Sequence, residues 1–306
     1  MVDGLLIKIK SLGISGLFLI CAVFAMILGV VGSILELDYL NGFMALSGSL
    51  VVAFAASYNN AVTMKKAKIT EEVEKVRKFN LMIGELKSAT IAMSQSFSLV
   101  HDWYADKKRD ILGSLRYLAY LKKISISHIT VKNPLDFYDL LSSNDTTYKA
   151  VDPTKVGKSS VMLWDLSYFI RIHNELEEKL IELEKYRDIV SKLANFSGKE
   201  CLTISFKFEG YQDKFILIKY ITLYEEILEV MEYYLVYGAH ILVHMPPSVL
   251  DFVEANFESA PSVAISSFGE DELMNLVKEM RYEKMSNADV EAMTLALIEK
   301  DKIELD

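Results

Sequence analysis

Two cysteines in 306 residues leave no framework for a disulfide-stapled secreted fold. Cys21 stands inside an uncharged apolar stretch and Cys201 far beyond it, so the two are not expected to pair. Basic charge is also short: 33 Lys and Arg against 42 Asp and Glu give a net charge of −9. Residues 1–63 account for only −1 of that, from Lys8 and Lys10 against Asp3, Glu36 and Asp38. A broad surface for nucleic-acid phosphates needs concentrated Lys and Arg, so no nucleic-acid partner is expected. Disorder is excluded on the opposite ground, because 51% of the residues are apolar and 11% aromatic.

Charge is missing altogether from two stretches. Ser11 to Leu35 is 25 residues without a charge, and Tyr39 to Met64 is 26 more. Each exceeds the roughly 20 residues that cross a hydrocarbon core. A cleaved signal is disfavoured, since the first run outlasts a signal core of about 7–15 residues and a second run follows at once. A lipoprotein signal is disfavoured by Leu19 and Ile20 before Cys21. Only Glu36, Leu37 and Asp38 separate the runs. The expectation is a transmembrane hairpin over 1–64, with spans of about 11–35 and 40–63 in a lipid bilayer. The turn carries two acids and no Lys or Arg, whereas Lys8 and Lys10 precede the first span and Lys65, Lys66 and Lys68 follow the second. Positive residues stay on the cytoplasmic side, which places the N-terminus and the C-terminal region in the cytoplasm. No Asp, Glu, Lys, Arg or His lies within either run, so the proton relay or ion-binding carboxylate of a transporter is missing.

Small residues mark the spans. Ala45, Gly48, Ser49 and Ala53 form a candidate helix-packing face on the second, and Gly13, Gly16, Gly29 and Gly32 lie on the first. Small side chains let backbones approach closely in lipid. Either these faces pack only within the hairpin, or hairpins assemble between chains into a homo-oligomer.

Beyond Lys68 the pattern is mainly helical. Residues 65–124 read as a helical stalk and a following helix, with Thr70 as a candidate N-cap. The stalk stripe Val76, Phe79, Ile83, Leu86, Thr90, Met93, Phe97, Val100 and Tyr104 runs at three- and four-residue spacing. No proline separates it from the second span, so that span either continues into the stalk or breaks at Asn59-Asn60. Residues 107–124 predict a shorter helix. Residues 125–161 read as a loop-rich connection with a short helix near Leu135–Leu141, and 162–306 as a cytoplasmic helical domain. Over 162–195, heptad-spaced apolar positions allow a coiled coil, but His173 and Arg187 on the seam favour one helix of an intramolecular bundle. The alternation Leu202, Ile204, Phe206, Phe208, and again at Phe215, Leu217 and Lys219, suggests a small β-hairpin near 200–219. Its second half alternatively opens a helix to Met245. Pro246-Pro247 is expected to end that helix, Ser248 to cap another to about Glu258, and Ser286 to cap one from Asn287 to about Ile303. Six tyrosines between Tyr211 and Tyr237 read mainly as core.

Chemistry is sparse. Val156-Gly-Lys-Ser-Ser160 resembles the end of a phosphate-binding loop, but Asp152 occupies the place of the first glycine. His240 and His244 share a helical face without a third ligand, and the Glu of zinc proteases is replaced by Ile241. His101 with Asp102 falls at the end of the stripe, where such residues cap or meet solvent. No enzyme, cofactor or metal site is expected.

The layout resembles two-transmembrane effectors of bacterial antiphage defence systems, of the kind that accompany retrons or cyclic-nucleotide signalling. The resemblance is architectural, chiefly over residues 1–110. It implies an abortive-infection protein of the bacterial inner membrane, held inactive by its cytoplasmic domain or a partner and acting by oligomerising and disrupting the membrane. The other reading is a membrane-anchored scaffold or receptor that recruits a cytoplasmic protein partner without pore activity.

Overall fold

A computed structural model describes residues 14–35, 38–101, 111–119, 124, 126–131, 133–142, 148, 161–197, 202–258, 261–264, 286–300 and 302–305. The fold is mainly α, with a small antiparallel sheet. Its helices are α1 (Ile14–Ile34), α2 (Asp38–His101), α3 (Leu112–Ala119), α4 (Tyr138–Leu141), α5 (Val161–Leu193), α6 (Tyr211–Asn256) and α7 (Asn287–Ile298). The strands are β1 (Ala194–Ser197), β2 (Thr203–Phe206) and β3 (Ile303–Glu304). The chain divides into two units, Met1–Glu74 and Lys75–Asp306.

The first unit holds two helices long and apolar enough to cross a membrane. Helix α2 is unbroken from Asp38 to His101, so Asn59-Asn60 interrupts nothing.

In the second unit α6 is the central element. Tyr220, Tyr224, Ile227, Met231, Tyr234, Leu235 and Ile241 are all fully buried, and such residues on several faces mark a helix packed on more than one side. Helix α5 runs antiparallel to it, since Phe169 packs on Tyr234 while Lys179, further along α5, pairs with Glu226, further back on α6. The stripe Val76, Phe79, Ile83, Leu86, Met93 and Phe97 belongs to this core, each residue 3% exposed or less. It is therefore the buried face of a bundle helix rather than a free stalk. His173 and Arg187 are buried in the same intramolecular core, as the seam substitutions suggest.

Of the six tyrosines, Tyr220, Tyr224, Tyr234 and Tyr237 are buried, whereas Tyr211 and Tyr233 face solvent. The short helix before Leu141 is present, entered through a 3-10 turn at Pro134–Phe137 that Asn133 caps by accepting from the Leu135 N–H. Ser286 caps α7, its hydroxyl accepting from the Asp289 N–H at 3.1 Å.

Four boundaries differ from the local sequence signals. The β-hairpin exists, but the partner of β2 is β1 on its N-terminal side, with Ala194 opposite Phe206 and Ser197 opposite Thr203. Residues 215–219 lie in α6, as the helical alternative for that stretch expected, and Leu217 reaches the core. Pro246-Pro247 does not end α6, which continues to Asn256. Two backbone donors are lost there, but Met245, Pro246, Ser248 and Val249 are buried and their packing carries the helix through. Helix α7 stops at Ile298, because Ile303 pairs with Ile204 and adds a third strand. Helix α3 has ended before Ile124, whose N–H donates to the Tyr117 hydroxyl at 3.2 Å. The helix expected over Glu270–Met285 lies outside the described residues.

Candidate functional site

The hairpin is built from small residues. Gly16, Ala22, Ala25, Gly29 and Gly32 form the buried face of α1, and the last four recur at three- and four-residue spacing. At Gly29 the second helix comes close: an added Cβ would stand 2.5 Å from Met44 Cγ and 3.0 Å from the Met44 backbone nitrogen. The exposed Met44 side chain can swing aside, but its backbone nitrogen cannot, so even a methyl group there presses on the facing backbone. The rest of α1 presents Leu17, Phe24, Ile27, Val30 and Ile34 outward. On α2, Phe43, Ser47, Leu50, Phe54 and Ser57 are half-buried at the same spacing.

The small face expected on α2 is not packed inside the hairpin. Ala45, Gly48 and Ser49 are exposed and Ala53 is half-buried. Nothing stands within 4 Å of the position of a Cβ on Gly48. The polar atoms are satisfied locally, with Ser49 donating to the Ala45 carbonyl at 3.2 Å and Ser47 to that of Met44 at 2.8 Å. Helical backbone and these back-bonded hydroxyls leave no orphaned group at Ser47 or Ser49 to oppose burial in hydrocarbon. Ala22 and Ala25 escape the sequence reading, although their spacing with Gly29 and Gly32 was the signal for them.

The buried side of α2 meets α5 and α6 around Thr90, and nearer its start Phe79 packs edge-on to Phe137 of the 3-10 turn. At Gly238 a Cβ would meet Thr90 Oγ1 at 2.6 Å and Phe169 Cε2 at 3.1 Å, so this glycine permits a close approach of three helices. Loops clasp the other side. The Asn80 amide donates to the Ser262 carbonyl at 3.0 Å and accepts from the Ala264 N–H at 2.8 Å. Glu85 accepts from the Thr130 N–H at 2.9 Å and from its hydroxyl at 2.5 Å. Lys75 pairs with Asp139 at 2.9 Å. These polar residues carry no spacing signal, because their partners lie 45 to 184 residues away.

Two polar groupings cross the interior. Tyr117 donates to Glu184 at 2.9 Å and lies beneath the Arg187 guanidinium, which is 4.6 Å from the ring centre and 3.3 Å from Glu184. Burial pushes the Tyr117 hydroxyl up to about 12, with the Glu184 charge adding to the rise. Tyr220 beside it donates to the Ser114 carbonyl at 2.9 Å and is raised well above the usual range by burial. Elsewhere His173 Nδ1 lies 3.2 Å from the Tyr234 hydroxyl. Burial lowers the His173 pKa from its ordinary 6.5; the Glu177 charge opposes that shift and His128 adds to it. At physiological pH both groupings act as neutral or internally paired core.

His240 and His244 do share a face of α6, with ring centres 4.5 Å apart, and Tyr148 packs edge-on to His240. Tyr148 donates to the buried Asp165 at 2.9 Å. Among the described residues no three His, Cys, Asp or Glu side chains are placed to share a metal ion. Residues 156–160, Asp102 and the His101 side chain lie outside the described residues. Comparison with protein families, with curated proteins and with solved structures finds no match to this chain.

Proposed function

We propose that this protein is a membrane effector of a bacterial defence or toxin-like system, in which the helical unit holds a transmembrane hairpin inactive until a trigger frees it to assemble and disrupt the inner membrane. The observation that carries this reading is the division of the small residues. The face of α1 that includes Gly29 is spent inside the hairpin, while Ala45, Gly48 and Ser49 on α2 are uncovered. In lipid, close packing of small residues is a main source of helix association. An uncovered second face therefore suits contact with another copy of the hairpin. The lysines that flank both spans favour a cytoplasmic helical unit.

The restraint follows from α2. One helix supplies both the second apolar segment and the stripe buried in the bundle. The helical unit thereby has a mechanical claim on the span without needing a ligand inside the membrane. Moving such a switch from mostly off to mostly on takes about 5.5 kcal/mol of differential binding, which release or capture of one tight protein partner supplies.

The test is membrane integrity in cells expressing the full chain. A voltage-sensitive dye and an impermeant DNA dye should report depolarisation and entry when the grip on α2 is loosened by Gly238→Leu. A fragment of residues 1–110 is unsuitable, because it bares the Val76–Val100 stripe; the unit boundary at Glu74 is the sounder cut. If inserted wild-type and Gly238→Leu proteins both leave the membrane sealed while the protein performs its cellular task, the membrane-anchored scaffold replaces the effector.

A further inference from the structure

The second unit contains a cleft of 560 Å³ between α3, α7 and the β2–β3 pair. That volume lies within the range of small-molecule sites. Its inner wall is apolar: Ile111, Leu112, Leu297 and Ile303, of which only Leu112 is more than 9% exposed. Met293 and Ala296 continue the wall to the mouth along one face of α7, at the i, i+3, i+4 spacing that ends on Lys300. Lys300 and Lys302 stand at the mouth, and both are exposed. Neither is in an ion pair among the described residues.

Lys300 has an ordinary use, since a cation just past a helix C-terminus complements the helix dipole. Lys302 has none: it lies beyond the helix, beside β3. Two uncommitted ammonium groups over an apolar wall are unusual in a chain of net charge −9. Among the described lining residues Glu304 is the one acid against these two lysines. From this we infer that the cleft binds a single-chain amphiphile with an anionic carboxylate or phosphate head, its apolar body against Ile111, Leu297 and Ile303 and its head between Lys300 and Lys302. The inference does not rest on the effector reading.

The experiment uses the full chain in phosphatidylcholine nanodiscs, where no detergent competes. A diazirine-bearing decanoate is photo-crosslinked and the adducts are mapped by peptide mass spectrometry. Adducts should fall at residues 111–112 and between residues 287 and 304, and excess decanoate should compete. Butyrate, too short to fill the wall, and decyltrimethylammonium, of the wrong sign, should not. Lys300→Glu/Lys302→Glu should weaken labelling about tenfold, the scale of two exposed charge contacts reversed. Both sites are on the surface, and an unchanged unfolding midpoint confirms that the variant folds. Stronger competition by single-chain lysophosphatidylglycerol than by decanoate supports the same cleft, with the amphiphile drawn from a bilayer. Adducts confined to α1 and α2, equal competition by the cationic amphiphile, or labelling unchanged in the folded double variant would each overturn the assignment.

Discussion

Replacing Gly238 by alanine tests the grip on α2 with a single methyl group. In an unobstructed helix interior this change stabilises by about 1 kcal/mol. Here the methyl lands 2.6 Å from Thr90 Oγ1 and 3.1 Å from both Thr90 Cγ2 and Phe169 Cε2. Thr90 and Phe169 are fully buried, so neither retreats without displacing its neighbours. Overpacking of this kind costs about 1–3 kcal/mol, which leaves a net loss of about 0–2 kcal/mol. The partner substitution is Thr90→Ala, which deletes the two atoms in the way. Alone it should cost about 1 kcal/mol for the small void. It also gives up the 2.8 Å bond to the Leu86 carbonyl, which the helix backbone already serves. When the two are combined, the methyl added by Gly238→Ala fills the space left by the Thr90 side chain. The double variant should therefore exceed the sum of the singles by about 1–2 kcal/mol. Urea unfolding of the full chain, followed by tryptophan fluorescence, gives the four midpoints. Trp164 is a suitable probe, since it stacks on Tyr168 and lies beside Tyr237 on α6. If Gly238→Ala raises stability by about 1 kcal/mol and the cycle shows no coupling, the three helices do not meet as closely as Gly238 implies.

Three further outcomes are expected. His173 has a folded pKa below its unfolded value, so it contributes stability that is complete above about pH 6.5 and is lost as pH falls through the folded pKa. Wild-type protein should therefore lose urea resistance between pH 7.5 and 5.5 more steeply than His173→Gln, and equal slopes would refute this. In the membrane, Ser49→Leu should reduce any oligomer resolved by crosslinking in native membranes, with hairpin insertion intact; an unchanged ladder would mean the α2 face meets lipid only. For topology, Asp38→Cys in a Cys21→Ala background should react with an impermeant thiol reagent in intact cells while Cys201 stays protected, and the reverse pattern would place the helical unit on the other side.

The sequence carried most of the helices because their signals are local and repeated. A stripe from Val76 to Phe97 at three- and four-residue spacing can be read without knowing what covers it. It could not say what does: Thr90 and Gly238 are 148 positions apart, as are many contacts of a bundle, and only the folded chain joins them. Local rules failed where tertiary packing outweighed them. A double proline ends an isolated helix, yet α6 passes through Pro246-Pro247 because burial on both sides of it offsets two lost donors. The alternation at Phe215, Leu217 and Lys219 is as strand-like as that at Leu202–Phe208. Only the first finds partners, in β1 and β3, and both are too short to be read as strands alone.

The hairpin shows the same limit in its most consequential form. Both spans carry small residues, and in lipid neither face outbids the other by hydrophobicity, since tails are as apolar as leucine. Geometry decides: the Gly29 backbone is pressed against Met44, while Gly48 has open space where its Cβ would be. A face that meets only lipid has no use for small side chains, and the outer surface of α1 accordingly carries Leu17, Phe24, Ile27, Val30 and Ile34. The outer surface of α2 also carries large apolar residues, Leu46, Val51 and Val52, but Ala45, Gly48 and Ser49 form a patch of small residues among them. Two lipid-facing surfaces in one hairpin should be built alike. Under the proposed assembly this small patch is the part of the α2 face that meets a second helix, and Ser49→Leu tests it by placing one large side chain within the patch.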